Sequence, residues 1–207
     1  MSRSFSHKKR NSRLMRRKPV MLIIAEGKNK TESLYFDSFK RQESLYSIQI
    51  LKAGSRTDPA QLMNIVDEAW DSYELDAISG DVAYVVVDLD LSEEKAKQIR
   101  RIDKLKPHIN FIVSNPCFEV WFLQHYRYST RPFISSDAVI NELKHYLPNY
   151  KKNSNVALVI NDMVNNAIRN IRKVSEHFLA LGYKWPSVDM NPWTDAYKII
   201  EQIIGKG

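Results

Sequence analysis

Four short apolar runs, each followed by a stretch of helical periodicity, confine the first ~125 residues of this chain to one class of fold. The runs are Val20 to about Ala25, Ile48 to Leu51, Val82 to Val87 and Ile109 to Val113. The first and third are continuously apolar, the kind of strand that is buried on both faces. Between them, Thr31 opens a helical stretch with Leu34, Tyr35 and Phe39 near helical spacing. Asp58-Pro59 reads as an N-cap followed by proline at the first helical position. Leu62, Met63, Ile65, Val66, Ala69 and Trp70 then form the buried face of that helix. Ser92 with Glu93 and Glu94 opens a third helix running to about Asp103, its acids in the favourable first turn. Asn115-Pro116 opens a fourth by the same cap-then-proline rule, and Cys117 to Tyr126 is apolar nearly all round, as in a buried helix.

The resulting βαβαβαβα order predicts an α/β fold with a parallel four-stranded sheet covered by helices. From Ser135 onward only helical patterns are found, at about 136–147, about 158–181 and from near Trp193, joined by linkers at Asn153–Asn155 and Lys184–Ser187. The expected organisation is a basic tail over 1–18, an α/β domain over 19–130 and a helical region over 131–207 packed on it. Internal repeats and low-complexity segments are absent.

Charge is distributed as unevenly as hydropathy. The formal net charge is +7, yet residues 1–18 hold eight Lys/Arg and no acid, which leaves 23 basic against 24 acidic residues in the rest. The body is about neutral and the tail is the basic part. Such a tail reads as a disordered arm that settles on phosphates without sequence choice, or as a solubilising extension. A single cysteine, Cys117, excludes an internal disulfide and a cysteine zinc finger. No apolar run approaches the ~20 residues that cross a bilayer, and no signal-peptide core is seen, so a cytoplasmic location is expected.

Two of the strands end in carboxylates, the first at Glu26-Gly27 and the third at Asp88-Leu-Asp90. In a parallel sheet with right-handed crossovers these ends lie on one edge, where open α/β sheets bind ligands. Acids gathered there repel one another unless a cation neutralises them, and hard oxygen ligands suit Mg²⁺ or Mn²⁺. Alternation predicts that Asp88 and Asp90 point the same way, with Leu89 turned to the core. The bland alternative is that such acids solvate loops or cap helices. Val85-Val-Val-Asp88 also has the look of a Walker B strand, but no G-x-x-x-x-G-K-[ST] loop exists and Gly27-Lys-Asn-Lys-Thr31 has one glycine, which argues against nucleotide hydrolysis. Asp88-Leu-Asp90-Leu-Ser92 is similar to the Asp-x-Asp-x-Thr of haloacid-dehalogenase-like phosphatases, where the motif follows the first strand rather than the third.

Glu-Gly followed by Asp-x-Asp on a βαβαβ core resembles the Toprim fold of topoisomerases, primases and overcoming-lysogenization-defect nucleases. Further along, Ile23-Ile-Ala-Glu26-Gly27-x-x-x-Thr31-Glu32-x-x-Tyr35-Phe36, Ser114-Asn-Pro-Cys-Phe-Glu119-x-Trp121-x-Leu123, Tyr150 with Lys151 or Lys152, and Asn191-Pro-x-Thr194 resemble the RloB/AbiLii family in order and over nearly the whole chain from Pro19. The resemblance implies a Toprim-like nuclease of a bacterial or archaeal phage-defence (abortive-infection) system, encoded beside an AAA/ABC-type ATPase or restriction genes. It departs at Asp88-Leu-Asp90-Leu91, where relatives more often read Asp-Arg-Asp-Asp.

On this reading Asp88 and Asp90 hold Mg²⁺, and Glu26 either shares the metal or acts as general acid/base. Glu119 is a fourth edge carboxylate or a capping-box contact of its helix. Lys28, Lys30 and Arg56 follow strand ends and are placed for phosphate contacts, or are ordinary loop cations. Arg127 and Arg131 with Tyr126, Tyr128 and Phe133 form a stacking and cation surface for single strands, or pack a loop over the core. Tyr146, Tyr150, Trp185 and Trp193 read as core of the helical part. His108, His125 and His145 show no metal spacing. The expected partners are an RNA (tRNA included) or DNA substrate and an AAA/ABC-type ATPase, with a homo-oligomer left open. The contrasting expectation is a non-catalytic subunit that binds nucleic acid or the ATPase and uses its acids structurally.

Overall fold

A computed structural model of the chain describes residues 17–27, 31–40 and 44–205. β1 (Val20–Ala25), β2 (Ser47–Leu51), β3 (Val82–Asp88) and β4 (Ile109–Asn115) form a parallel sheet in the order β2-β1-β3-β4. Side-chain alternation divides it into two cores. Leu22, Ile24, Ala83, Val85, Val87, Phe111 and Val113 pack against α2 (Pro59–Ser72) and α3 (Glu93–Ile102). Met21, Ile23, Ala25, Tyr84, Val86 and Ile112 face the other layer, made of α1 (Thr31–Asp37), α4 (Glu119–Gln124), α5 (Ser136–Leu143), α7 (Val164–Ala180) and α8 (Ala196–Ile203). That second core is the aromatic one: Tyr35, Phe36, Phe118, Trp121 and Phe122 are all at most 1% exposed and meet edge to face.

The helix starts follow local chemistry. Asp58 Oδ1 accepts from Gln61 N at 2.9 Å with Pro59 at the first position of α2, and Ser92 Oγ accepts from Lys95 N at 3.2 Å at the start of α3. Glu93 and Glu94 open α3 and Arg100 and Arg101 close it, each at the end of the helix dipole that favours its sign.

Three expectations are corrected. The sheet has five strands, not four: β5 (Trp193–Thr194) adds antiparallel to the end of β4, with Ser114 opposite Thr194 and Asn115 opposite Trp193. The region after residue 131 is therefore not purely helical, and its last helix starts at Ala196 rather than near Trp193. A two-residue strand carries too little periodicity to be read locally; the pairing is made by the neighbour, through the Ser114–Thr194 hydroxyl contact at 2.9 Å and the hydrogen bond from Asp195 N to Val113 O at 2.9 Å. Second, Asn115 is not a helix cap. Its amide nitrogen donates to the carbonyls of Val188 and Met190, both at 2.9 Å, so it ties β4 to the C-terminal segment, and α4 begins only at Glu119 without a side-chain cap. Third, the expected 158–181 helix is broken into α6 (Ala157–Ile160), a 3₁₀ turn (Asn161–Met163) and α7. Asn161 and Asp162 are residues that favour local turns over helix interior.

Of the basic tail, residues 1–16 lie outside the described residues. Arg17 makes a bidentate pair with the buried Asp81, at 2.9 and 2.6 Å, and Asp81 also accepts from Val20 N and Asp76 N. This cation is structural, at the end of the sheet opposite the acids. No helix among the described residues is long and apolar enough to cross a membrane.

Candidate functional site

β1 and β3 are neighbours with Ala25 opposite Val86, so the carboxylates that follow them meet at the C-terminal edge of the sheet. The ladder continues one step beyond the strand: Glu26 N donates to Val86 O at 3.3 Å, and Asp88 N donates to Glu26 Oε1 at 3.2 Å. Gly27 turns the chain away at φ +69, a conformation that favours glycine, and its N–H is held at 2.6 Å by the carbonyl of Arg56. Alternation then sends Glu26 to the α2/α3 side of the sheet and Asp88 to the α1/α4 side.

On the first side Lys95 dominates. Its Nζ stands 2.7 Å from Glu26 Oε2 and 3.4 Å from Asp90 Oδ2, and the Lys95 and Glu26 side chains are only 15% and 14% exposed. Burial raises the Glu26 pKa even though the ammonium opposes it. The expectation that Asp88 and Asp90 point alike is corrected here. The strand ends at Asp88, and Asp90 and Leu91 adopt left-handed backbone at φ +51 and +59 as the chain turns into α3. Leu89 is buried as expected, while the Asp90 side chain is 58% exposed.

On the second side there is no lysine at contact distance among the described residues. Burial raises the Asp88 pKa well above the carboxylate range, and the charges of Glu32, Glu26, Glu119 and Asp90 add to it. Glu32, in the first turn of α1, is pushed up to about 7 by burial and then by Glu119 and Glu26. Its Oε2 is buried without a hydrogen-bond partner. Glu119 accepts from Tyr150 Oη at 2.8 Å; it lies in this cluster and does not close a capping box. Asn153 N donates to Thr31 Oγ1 at 3.0 Å, so the 150–153 loop is pinned at two points over the acids. Between the pins is the exposed Lys152. Burial lowers its pKa, but Glu119, Cys117, Asp88 and Glu32 outweigh that and hold it above the usual lysine value.

The cationic candidates fare differently. Lys28 and Lys30 lie outside the described residues. Arg56 is exposed, with its guanidinium donating to Ala53 O at 3.3 Å, near a groove of about 660 Å³ that Gly27, Lys40, Lys52 and Gly54 line beside the acid edge. Arg127 and Arg131 are not brought to the acids. They follow the C-terminal end of α4, whereas Glu119 begins it, and they line a separate cleft of about 310 Å³ where Arg127 pairs with Glu142 at 2.6 Å. Tyr126 is spent on Tyr146, stacked at 4.8 Å. Trp185 donates to Asp195 at 2.5 Å and Trp193 stands in β5, so both brace the end of β4. His125 is buried on Trp121 O, and burial lowers its pKa to about 4. His108 pairs with Asp67 at 3.1 Å and His145 is exposed.

Glu32, Lys95 and Lys152 were not singled out from sequence as site residues. For the first two a signal existed: right-handed crossovers place the first turn of every helix beside the carboxyl ends of the strands. Glu32 opens the helix after Glu26, and Lys95 sits three residues past the Ser92 cap. Lys152 had only its place beside Tyr150 in a family-like motif, and tertiary packing is what brings its loop over the edge.

The donor chemistry of the edge fits a divalent cation: hard carboxylate oxygens in excess of the positive charge at contact distance, one of them orphaned. Among the described residues, no three His, Cys, Asp or Glu side chains already stand gathered around one point. The family comparison agrees with the motifs that run from Ile23 to Thr194. The model of the RloB-like protein family matches residues 21–203. The chain belongs to the RloB-like protein family. No curated protein and no solved structure gives a significant match. In this RloB-like chain the matched span covers the sheet, both halves of the acid edge and the β5 strap.

Proposed function

We propose that this RloB-like protein is a metal-dependent, Toprim-like nuclease, an effector of anti-phage defence that hydrolyses phosphodiesters of RNA, tRNA included, or DNA. The observation that carries the reading is the convergence of Glu26, Glu32, Asp88 and Glu119 on one sheet edge, with a buried Glu32 oxygen left unpartnered. Asp88 is the central ligand in this reading, with Glu26, Asp90 and Glu32 as the oxygens around it. A bound Mg²⁺ or Mn²⁺ would polarise the scissile phosphate and lower the pKa of an attacking water. Glu26 has a raised pKa, which suits proton transfer nearer neutrality than an ordinary carboxylate allows. Lys152, exposed above the acids, can meet charge that develops on the phosphate. Arg56 and the neighbouring groove would guide the strand beside the reacting phosphate. An AAA/ABC-type ATPase partner, which family resemblance supports, would gate or deliver the activity in the cytoplasm.

One observation favours a second reading. Lys95 already neutralises Glu26 and Asp90, so that half of the edge is stable as an ion pair without metal, as in a non-catalytic binding subunit. The phosphatase reading draws less support, because its Asp-x-Asp follows the first strand of the core, whereas here the motif follows β3 and Asp90 turns out of the strand line. The deciding experiment incubates the purified chain with mixed tRNA and with supercoiled plasmid in Mg²⁺, Mn²⁺ or EDTA, beside Asp88→Ala. Metal-dependent cleavage abolished in the variant supports the nuclease and names the polymer. No cleavage, together with a melting temperature indifferent to metal, supports the binding subunit.

A further inference from the structure

The Lys95 ammonium occupies the point where the two acids on the α3 side of the edge come together. It is 2.7 Å from Glu26 and 3.4 Å from Asp90, and at 15% side-chain exposure it is no loose surface lysine. Its backbone is fixed by the Ser92 cap, while its four-carbon stem leaves the head free to move. Asp90, the more exposed partner, leaves a route to solvent. Two carboxylates and one ammonium carry a net single negative charge; adding a dication beside the ammonium would instead set two cations in contact across the same oxygens. One of the two has to leave.

We propose that Lys95 is the resting counter-cation of the acid edge and that a divalent ion binds between Glu26 and Asp90 only by displacing its ammonium. The inference rests on the metal-dependent reading above and deepens it: Lys95 is a positioning residue that keeps Glu26 and Asp90 paired on one side of the sheet until metal draws them towards Asp88. The half around Glu32 and Asp88, which has no such lysine among the described residues, then makes the first contact with the incoming ion.

The test is metal affinity rather than turnover. Mn²⁺ and Mg²⁺ binding to the full chain would be followed by calorimetry and by the metal-induced shift in melting temperature, for wild type, Lys95→Met, Lys95→Gln and Lys95→Arg. Both neutral variants are expected to bind metal more tightly, by roughly tenfold, the lower end of what removing a contact charge does to a neighbouring site. In EDTA both should melt below wild type, and Lys95→Arg should keep wild-type affinity or fall below it. Having two neutral variants keeps the test intact if one does not fold. Unchanged or weaker affinity in the neutral variants, with wild type binding normally, overturns the role of Lys95 alone. Absence of binding in every protein, wild type included, overturns the metal-dependent reading and this inference with it.

Discussion

The two halves of the acid edge lie on opposite faces of the same pair of strands and manage their charge in opposite ways. On the α3 side Glu26 and Asp90 share the Lys95 ammonium, so their negative charge is met within the chain. On the α1/α4 side Asp88, Glu32 and Glu119 crowd together, with Tyr150 as a neutral donor and Lys152 exposed above them. Burial raises the pKa of Glu26, Glu32 and Asp88 alike, but among the described residues only Glu26 has a cation at contact distance to oppose it. The difference teaches that a cluster of like residues is not one electrostatic unit. Which helix supplies the neighbour decides whether the burial of an acid is opposed by a cation or reinforced by other acids.

Substitutions can break that comparison. The largest effect is expected from Asp88→Asn, which on the proposed reaction should cut metal-dependent cleavage by on the order of 10²-fold or more, the scale of a lost catalytic group, while the protein remains folded. A time course on the preferred polymer checks it.

The two halves should next differ in sign. Glu32 has a folded-state pKa of about 7 against an ordinary value of 4.5, so the folded chain binds more protons than the unfolded one in between. Its contribution to stability therefore falls as pH rises from about 4.5 to about 7. Glu32→Gln should remove that slope and stabilise the metal-free protein above pH 7 by about 1–3 kcal/mol. His125 runs the other way, held neutral with a pKa of about 4, and its contribution is lost as pH falls from 6.5 towards 4. The difference between Glu32→Gln and wild type cancels it. Denaturant melts at pH 5, 6, 7 and 8 read the effect. Lys95→Met, by contrast, should destabilise by about 1–3 kcal/mol, since it leaves Glu26 largely buried without its cation. Equal signs for the two variants would erase the distinction between the halves.

Tyr150→Phe sharpens the comparison. It removes the hydrogen bond to Glu119 and should cost about 1.5–3 kcal/mol in EDTA, with part of the loss recovered on adding Mn²⁺. The smallest effect belongs to Asp90→Asn: with a 3.4 Å contact and a half-exposed side chain, its stability should stay within about 1 kcal/mol of wild type. Thermal melts with and without metal distinguish the two.

Much of the frame was legible in the sequence, because continuous apolar runs and capped helices are local signals. The strands at Val20, Ile48, Val82 and Ile109, the Asp58 and Ser92 caps and the shared edge of Glu26 and Asp88 follow from periodicity and crossover handedness, whereas their meeting needed the β1–β3 adjacency that the structure supplies. What was not legible depends on partners distant in sequence. Lys95 reaches back 69 positions to Glu26, Tyr150 reaches 31 positions to Glu119, and Asn115 spends its amide 73 and 75 positions away instead of capping a helix. Asp90 was misplaced for a different reason. Alternation holds only while the strand lasts, and the strand stops two residues earlier, at Asp88.

The β5 strap gives this molecule a timetable. Asp88 is braced by Ser114 across the sheet, Ser114 by Thr194, and Asn191 holds the loop at Phe133 with bonds of 3.1 and 2.7 Å. During synthesis the acids at Glu26, Asp88 and Glu119 leave the ribosome long before Thr194 does. A nascent chain therefore displays the whole set of acids while the strand behind them is still unfastened. The edge is fully braced only once the β5 strap behind it has been made.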